Sequence, residues 1–375
     1  MKVTVHRDQV FALVDMLLER WQSTPKQHPF NLRDAVIPQV VIPPSLRNNK
    51  HELACFYFYV CIYMRGGIES LQAFNAMLRM RDAHPDLFKP IYAQWLSALQ
   101  VQEILKEFVG WDSRQASIHW VENSRRLARK WKGEPLRLIK GLRDYDEALR
   151  RIKNKRTKTE LAKAGEDGAG FMGFQPKMVS MFLYFMDWEK LLNPRFLYPA
   201  PADFHNYRIG LATGAIEVDT AAGQVIRYSE KISAPWREAL MAYLKIRRAD
   251  PVAVADVLWL FSLTMCGNSP ATITKEEEDE QEEAMSTLFS NGHSGSFHGS
   301  ATPELLRGYQ KTCLVCPLAT KCRFGIPARP YYRKGVLVLR DRLRVEQLVG
   351  RTFPPPKTGA GSPVMQYLLE LDQPE

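Results

Sequence analysis

Among its 375 residues the chain has no apolar run long enough to span a bilayer, because the longest, Leu53–Met64, falls well short of about 20 residues. Its opening residues, Met1–Arg7, mix polar and apolar side chains and lack the apolar core of a secretory signal. Cysteine is scarce, with six residues in all. We therefore expect a cytoplasmic protein without a membrane partner, whose reduced thiols favour metal ligation over disulfides.

The composition predicts a folded and basic protein. Hydrophobic residues make up 45% of the chain and aromatic residues 11%, which is typical of a globular domain. The formal net charge is +10, and the segment from Arg125 to Lys158 alone carries fourteen lysines and arginines against four acids. A basic segment of this density attracts a polyanion. The alternative is a solvated helical face, which is common for charge runs.

Hydrophobic spacing predicts helices in the first half of the chain. Apolar residues between Val10 and Leu18 recur at helical intervals, and a second helix is expected after Asn48–Glu52, running to Met64. The aromatic residues of this second helix and its two cysteines, Cys55 and Cys61, are interpreted as core. Prolines favour an extended segment over residues 38–44. Near the other end, alternation over residues 331–340 predicts a strand paired with another short strand.

Cys313, Cys316 and Cys322 are spaced as C-x2-C-x5-C, which allows one short loop to surround a metal centre. A fourth thiol, Cys266, ends an apolar helical run. Between it and Cys313 lies an insertion, residues 268–303, with seven acids in eight positions at Glu276–Glu283. That composition predicts disorder. The thiols are interpreted as ligands of one metal centre, with a zinc knuckle or unrelated reduced thiols as the alternatives.

Two further segments carry chemistry. Phe171-Met-Gly-Phe-Gln-Pro-Lys177 predicts a tight turn that runs into a helix, since Pro176 suits a first helical position. Downstream, Ala202-Asp-Phe-His-Asn-Tyr-Arg-Ile209 places an aspartate two residues before a histidine. A helix-cap role is the alternative for Asp203.

Together these segments resemble the helix-hairpin-helix DNA glycosylases that carry an iron–sulfur loop, the endonuclease III and adenine-glycosylase group. The cysteines resemble that loop, although the interval after Cys266 is far longer here. The Gly173 segment resembles the family's L-P-G-V-G-x-K hairpin, and the Asp203 segment resembles its V-D-x-H-x-x-R-V motif. The matches follow the family's order over residues 155–325.

The resemblance implies a mainly α, two-lobed helix-hairpin-helix glycosylase fold with a C-terminal iron–sulfur cluster loop, and a flipped base held between the lobes. It divides the chain into four regions. These are an N-terminal helical region (1–120), a lobe with the basic stripe and the helix-hairpin-helix (121–265, the motif at about 157–190), an iron–sulfur region (266–330) and a C-terminal strand and tail (331–375).

The resemblance also implies roles for individual residues. Asp203 is the expected catalytic carboxylate, and Lys177 is either a nucleophile or a phosphate ligand. Gln175 stands where the family has a second glycine. The expected DNA contacts are Gly173, Gln175, His205, Lys311, Lys321 and Arg323. A [4Fe–4S] cluster is expected on Cys266, Cys313, Cys316 and Cys322.

The implied function is a monomeric DNA N-glycosylase acting on double-stranded DNA, with an associated abasic-site lyase if Lys177 attacks the sugar. A looser similarity to the α-glutamyl/putrescinyl-thymine pyrophosphorylase clade implies a bulky modified pyrimidine of phage DNA, such as glucosylated 5-hydroxymethylcytosine, and a role in antiviral defence. Two alternatives stay open. One is a housekeeping repair glycosylase for oxidised or mismatched bases, and the other is a non-catalytic iron–sulfur DNA-binding module.

Overall fold

The computed structural model describes residues 2–23, 37–64, 70–109, 114–155, 157, 159–160, 168–218, 225–227, 230–264, 316, 318 and 336–338. This part of the chain is mainly helical, which confirms the predicted class. None of its helices is both long and apolar enough to cross a membrane. The chain forms two compact units. The first comprises Met1–Ala35, Ala202–Ala249 and Asp256–Glu375, and the second comprises Val36–Pro201 and Asp250–Ala255.

The helices follow one another along the chain as α1 (Arg7–Ser23), α2 (Pro44–Asn48), α3 (Lys50–Tyr63), α4 (Ser70–Ala83), α5 (Pro90–Ala93), α6 (Ala98–Val109), α7 (Arg114–Trp131), α8 (Leu136–Ile139), α9 (Tyr145–Ile152), α10 (Pro176–Trp188), α11 (Phe204–Thr213), α12 (Glu230–Arg247) and α13 (Pro251–Thr264). Two 3-10 helices cover Pro38–Val41 and Pro85–Phe88. The strands are β1 (Val3–Val5), β2 (Ile216–Val218), β3 (Val225–Arg227) and β4 (Val336–Val338).

In the first unit, the N-terminal residues pack against a segment from the middle of the chain. β1 pairs antiparallel with β2, so that Val3 faces Val218. α1 packs on α12 and buries the face predicted from its spacing, including Val10 and Leu17. β4 lies inside the segment predicted as a strand and pairs antiparallel with β3, which confirms that prediction.

In the second unit, α3 is the central helix. Every residue from Leu53 to Tyr63 is buried, so the helix has no solvated face. Its aromatic rings stack on rings of neighbouring helices, with centroids 4.2 Å apart for Tyr59 and Trp120 and 4.7 Å apart for Tyr57 and Phe185. The prediction that the aromatics and both cysteines of this helix belong to the core is confirmed.

The segment before α3 differs from its prediction. Residues 38–44 were expected to be extended, but Pro38–Val41 forms a 3-10 helix and α2 begins at Pro44. Each of these helices begins with a proline, whose fixed φ suits a first helical position and whose missing N–H costs nothing there. Prolines here start short helices instead of preventing them.

Candidate functional site

The predicted hairpin is a β-turn over Phe171–Phe174. The amide of Phe174 donates to the carbonyl of Phe171 over 3.0 Å, and Gly173 at the third position has φ +85°. This conformation is a type II turn, which favours glycine because other residues are strained at positive φ. Gly173 is buried, so the surface of the turn is formed by the half-buried residues Met172 and Gln175.

The end of α9 with the residues that follow it, and helix α7, hold this turn. The amide of Phe171 donates to the carbonyl of Ile152 (3.0 Å), and the amide of Asn154 donates to the carbonyl of Phe174 (2.8 Å). On the other side, buried Asn123 of α7 donates to the carbonyl of Met172 (2.9 Å) and accepts from its amide (2.7 Å). The turn is therefore fixed before any ligand arrives.

One turn further along α7, Arg126 supports the same segment. Its guanidinium donates to the carbonyl of Gly170 over 2.6 Å. Burial is the main cause that lowers the pKa of Arg126. No local motif marks Asn123 or Arg126, which lie more than forty residues before the turn, and sequence reasoning did not single out either of them for this role.

The turn runs directly into α10. Pro176 is its first residue, and Gln175 occupies the N-cap position without a side-chain capping bond. The Gln175 side-chain amide instead donates to the carbonyl of Asn154 over 3.4 Å. Lys177 lies in the first turn of α10 and is half-buried. A helix start carries partial positive charge and N–H donors, and an anion is favourable there.

The basic segment has two kinds of side chain. Some support the fold. Arg151 donates to the backbone carbonyls of Leu138 and Lys140, and the ammonium group of Lys155 donates to the backbone carbonyl of Arg150. Others are exposed and make no ion pair within the described part of the chain, namely Arg129, Lys132, Lys140 and Arg150. The exposed cations leave a positive surface for a polyanion.

Asp203 is the N-cap of α11 and is buried. Its Oδ1 accepts from the amides of His205 (3.0 Å) and Asn206 (3.3 Å) and from the side-chain amide of Asn206 (3.3 Å). The helix-cap alternative is thus observed, and it does not oppose a catalytic role. A helix N-terminus stabilises a charged carboxylate and fixes its orientation.

The surroundings of Asp203 are well packed. The side chain of Asn206 accepts from the indole of Trp236 over 3.1 Å, and Gly210 lies so close to Ile216 that an added Cβ would stand 2.6 Å from its Cδ1. His205 is buried, with its Nδ1 3.0 Å from the hydroxyl of Ser262. Its role as a DNA contact stays a prediction.

The structure brings Gly173, Gln175 and Lys177 together in the second unit, and Asp203 and His205 together in the first. The segment between α10 and α11 forms a loop. Buried Asp187 anchors this loop by accepting two bonds from Arg195 Nε (2.7 and 2.9 Å) and one from the hydroxyl of Tyr198 (2.9 Å). Burial and the Asp187 carboxylate raise the pKa of Tyr198 well above its usual value.

Most of the predicted cysteine loop lies outside the described residues. This holds for Cys266, Cys313 and Cys322, for the basic residues Lys311, Lys321 and Arg323, and for the acidic insertion at 268–303. Cys316 is half-buried and Leu318 is buried. In the described ranges, no three histidine, cysteine or acidic side chains converge as metal ligands would.

No known family profile matches the chain, and no curated protein is significantly similar to it. The resemblance to the glycosylases thus depends on the motif residues alone.

Proposed function

We propose that this chain is a DNA N-glycosylase, with Asp203 as its catalytic carboxylate. The observation that carries the proposal is the placement of Asp203: a buried carboxylate, fixed by backbone amides at the start of α11, within a segment that resembles the family's aspartate motif. Backbone amides hold this carboxylate in one orientation. A negative charge fixed in this way stabilises a developing cation without reorganisation.

The Gly173 turn is proposed to hold the DNA backbone. Its preformed geometry, the α10 N-terminus without a side-chain cap and Lys177 in the first helical turn suit a phosphate. The exposed cations between Arg129 and Arg150 extend the positive surface along the same unit. Contacts of this kind position a duplex without reading its sequence.

Base removal requires that the nucleotide leave the stack, because its glycosidic bond is inaccessible within the duplex. Cleavage of the C1′–N bond develops positive charge on the sugar, as in glycoside hydrolysis. We assign Asp203 to stabilise that charge and to accept a proton from the attacking water. If the Lys177 amine attacks C1′ instead, a Schiff base forms and strand cleavage follows.

A [4Fe–4S] cluster is part of the proposal, because four thiolates from Cys266, Cys313, Cys316 and Cys322 are a suitable donor set for it. When bound, it would supply rigidity to the loop that carries Lys321 and Arg323. No step of base removal is assigned to it.

The proposed substrate is a bulky modified pyrimidine of phage DNA, such as glucosylated 5-hydroxymethylcytosine. This part depends on the looser clade resemblance. The polar side chains of Asn48–Glu52 could bind the hydroxyls of such a sugar, but the structure gives that no support. Asn49 caps α3 by accepting from the amide of Glu52, and Glu52 binds Arg81 over 2.6 Å. The side chains of both residues already have partners within the fold.

The decisive experiment compares Asp203→Asn with Asp144→Asn. Asp144 is also a helix N-cap aspartate, accepting from the amide of Glu147 over 2.8 Å, but it is exposed at the start of α9. Both substitutions keep a capping side chain. We expect Asp203→Asn to lose base release by about 100-fold or more while retaining DNA binding, and Asp144→Asn to keep both.

Released bases would be identified by mass spectrometry after incubation with glucosylated, hydroxymethylated and unmodified phage DNA. Unchanged release by Asp203→Asn would refute its catalytic role. Release only of oxidised purines would establish the repair alternative, and DNA binding without any release would establish the non-catalytic one. Borohydride trapping tests Lys177 separately, since a covalent adduct that Lys177→Ala abolishes indicates a lyase.

A further inference from the structure

An exposed apolar cluster lies on the second unit, where α5 leads into α6. Tyr92 is 57% exposed, Trp95 is 81% exposed and Leu99 is 63% exposed, and Ile91 beside them is exposed as well. Isolated apolar residues are common on protein surfaces, but four large ones within nine positions are not. The amide of Trp95 donates to the carbonyl of Tyr92 over 3.0 Å, so the two rings project from one tight turn.

Basic side chains surround these rings. The ammonium group of Lys89 lies 5.5 Å from the centre of the Tyr92 ring. Arg125 of α7 donates from Nε to the carbonyl of Gln94 over 3.2 Å, which places its guanidinium beside the residue that precedes Trp95. Arg129 follows one helical turn later on the same face of α7.

The turn after α7 completes this surface. Gly133 lies against Ile91, since a Cβ added to this glycine would stand 2.9 Å from the Ile91 Cγ1. Exposed Lys132 therefore lies at the edge of the apolar cluster. Lys89 and Arg125 are paired with Asp86 and Glu122, while Arg129 and Lys132 make no ion pair with any described residue. The Trp95 surface is defined as Lys89, Ile91, Tyr92, Trp95, Leu99, Arg125, Arg129 and Lys132.

We infer that the Trp95 surface binds single-stranded nucleic acid, with bases stacked on Trp95 and Tyr92 and phosphates at Arg129 and Lys132. Exposed rings interleaved with cations are the pattern of such sites, because every base has a face that can stack and every linkage carries a negative charge. An apolar partner protein would be poorly matched to the surplus of positive charge. The inference does not depend on base excision, because it involves neither Asp203 nor the Gly173 turn, but Arg129 and Lys132 also belong to the positive surface proposed above for duplex DNA.

The test measures binding of a fluorescently labelled oligothymidylate of about 12 nucleotides by anisotropy at several salt concentrations. Trp95→Ala is expected to weaken binding about tenfold, whereas Trp95→Tyr retains most of the affinity because the ring still stacks. Arg129→Ser combined with Lys132→Ser is expected to weaken binding and to reduce its salt dependence.

Ile246→Ala and Lys245→Ser are the matched controls, since both residues are exposed on α12 in the first unit and should leave binding unchanged. Equal affinity of Trp95→Ala and the wild type would overturn the inference. It would also be overturned if sedimentation showed a dimer that Trp95→Ala abolishes, without any effect on oligonucleotide binding, because the surface would then join two copies of the chain. Loss of base release in Asp203→Asn with intact oligonucleotide binding separates this site from the proposed catalytic one.

Discussion

At the residue scale, Asn123 shows how a single side chain fixes the candidate site. It pairs with both the amide and the carbonyl of Met172, so one buried amide side chain satisfies both backbone groups of a residue in the middle of the turn. Helix α7 thereby sets the position of a segment 49 residues away along the chain. A local sequence window contains no trace of this pairing.

We expect Asn123→Ala to lower the free energy of unfolding by about 2 kcal/mol, because two part-buried backbone groups lose their partners. Duplex DNA affinity should fall as well if the turn holds phosphate. Urea unfolding and anisotropy with duplex DNA would measure the two effects. Gln115→Ala, at an exposed position of the same helix, should change neither. A variant that is destabilised but binds duplex DNA normally would exclude the turn from DNA binding.

At the scale of single elements, two glycines allow backbone strain and steric crowding to be separated. Gly141 and Gly170 have nearly the same positive φ, +70° and +69°. A Cβ on Gly141 would meet nothing within 4 Å, whereas one on Gly170 would stand 2.0 Å from the carbonyl oxygen of Lys153. The segment that leads into the Gly173 turn can approach its partner this closely only with glycine.

Gly141→Ala is therefore expected to lower the free energy of unfolding by about 1–2 kcal/mol, from the left-handed conformation alone. Gly170→Ala should cost roughly 2 kcal/mol more than that, since the backbone itself must move. Chemical denaturation of the two variants under one set of conditions would give the difference. Equal destabilisation by the two substitutions would show that the backbone at residues 153 and 170 can move apart without a loss of stability.

The buried ionisable side chains of helix α3 should make the stability of the fold depend on alkaline pH. Burial is the largest cause that raises the pKa of the Cys55 thiol to about 12, and it raises the pKa values of Tyr57 and Tyr59 too. A group whose pKa is raised by folding contributes its full stabilisation below its unfolded pKa. For the thiol that value is near 9, and the contribution is lost as the pH rises from there towards 12.

Through the Cys55 thiol alone, the free energy of unfolding should fall by about 1 kcal/mol between pH 8 and pH 10. Urea unfolding of wild type and Cys55→Ala at pH 7, 8, 9 and 10 would test this, because the variant should lose stability less steeply with pH despite its lower starting value. Parallel pH profiles for the two proteins would contradict burial of the thiol in its neutral form.

At the scale of the whole molecule, the two units are assembled from discontinuous segments. β1 reaches β2 across more than two hundred residues, and the hydroxyl of Tyr243 on α12 donates to Asp15 of α1 over 2.8 Å. The first unit therefore forms only when distant parts of the chain meet. The second unit is nearly continuous in sequence and is organised around α3.

The proposed cluster is also tested at this scale. Protein purified without oxygen should be brown and contain about four irons matched by acid-labile sulfide. Cys313→Ala and Cys266→Ala should each lose iron, while Cys55→Ala should retain it because that thiol is buried in α3. Stoichiometric zinc without iron would favour the zinc-knuckle alternative. Full iron in Cys266→Ala would remove that residue from the ligand set.

Local patterns in the sequence were sufficient for the features that depend on near neighbours. Side-chain periodicity sets the helix around Val10 and the strand around Val336, and a continuous apolar run after a polar cap marks helix α3. The structure has all three. The tight turn at Gly173 was also predictable, since few residues other than glycine adopt positive φ there. The helical form of residues 38–41 was missed, because in the sequence a proline that begins a helix looks the same as a proline that interrupts a helix.

Tertiary structure decided what depends on distant parts of the chain. The support of the Gly173 turn by Asn123 and the exposure of Trp95 result from how helices pack, and packing joins residues that no local window contains. Sequence alone marked Asp203 and Lys177 as candidates by their motifs. Folding decided that the Asp203 carboxylate is buried at the start of a helix, where backbone amides hold it in one orientation.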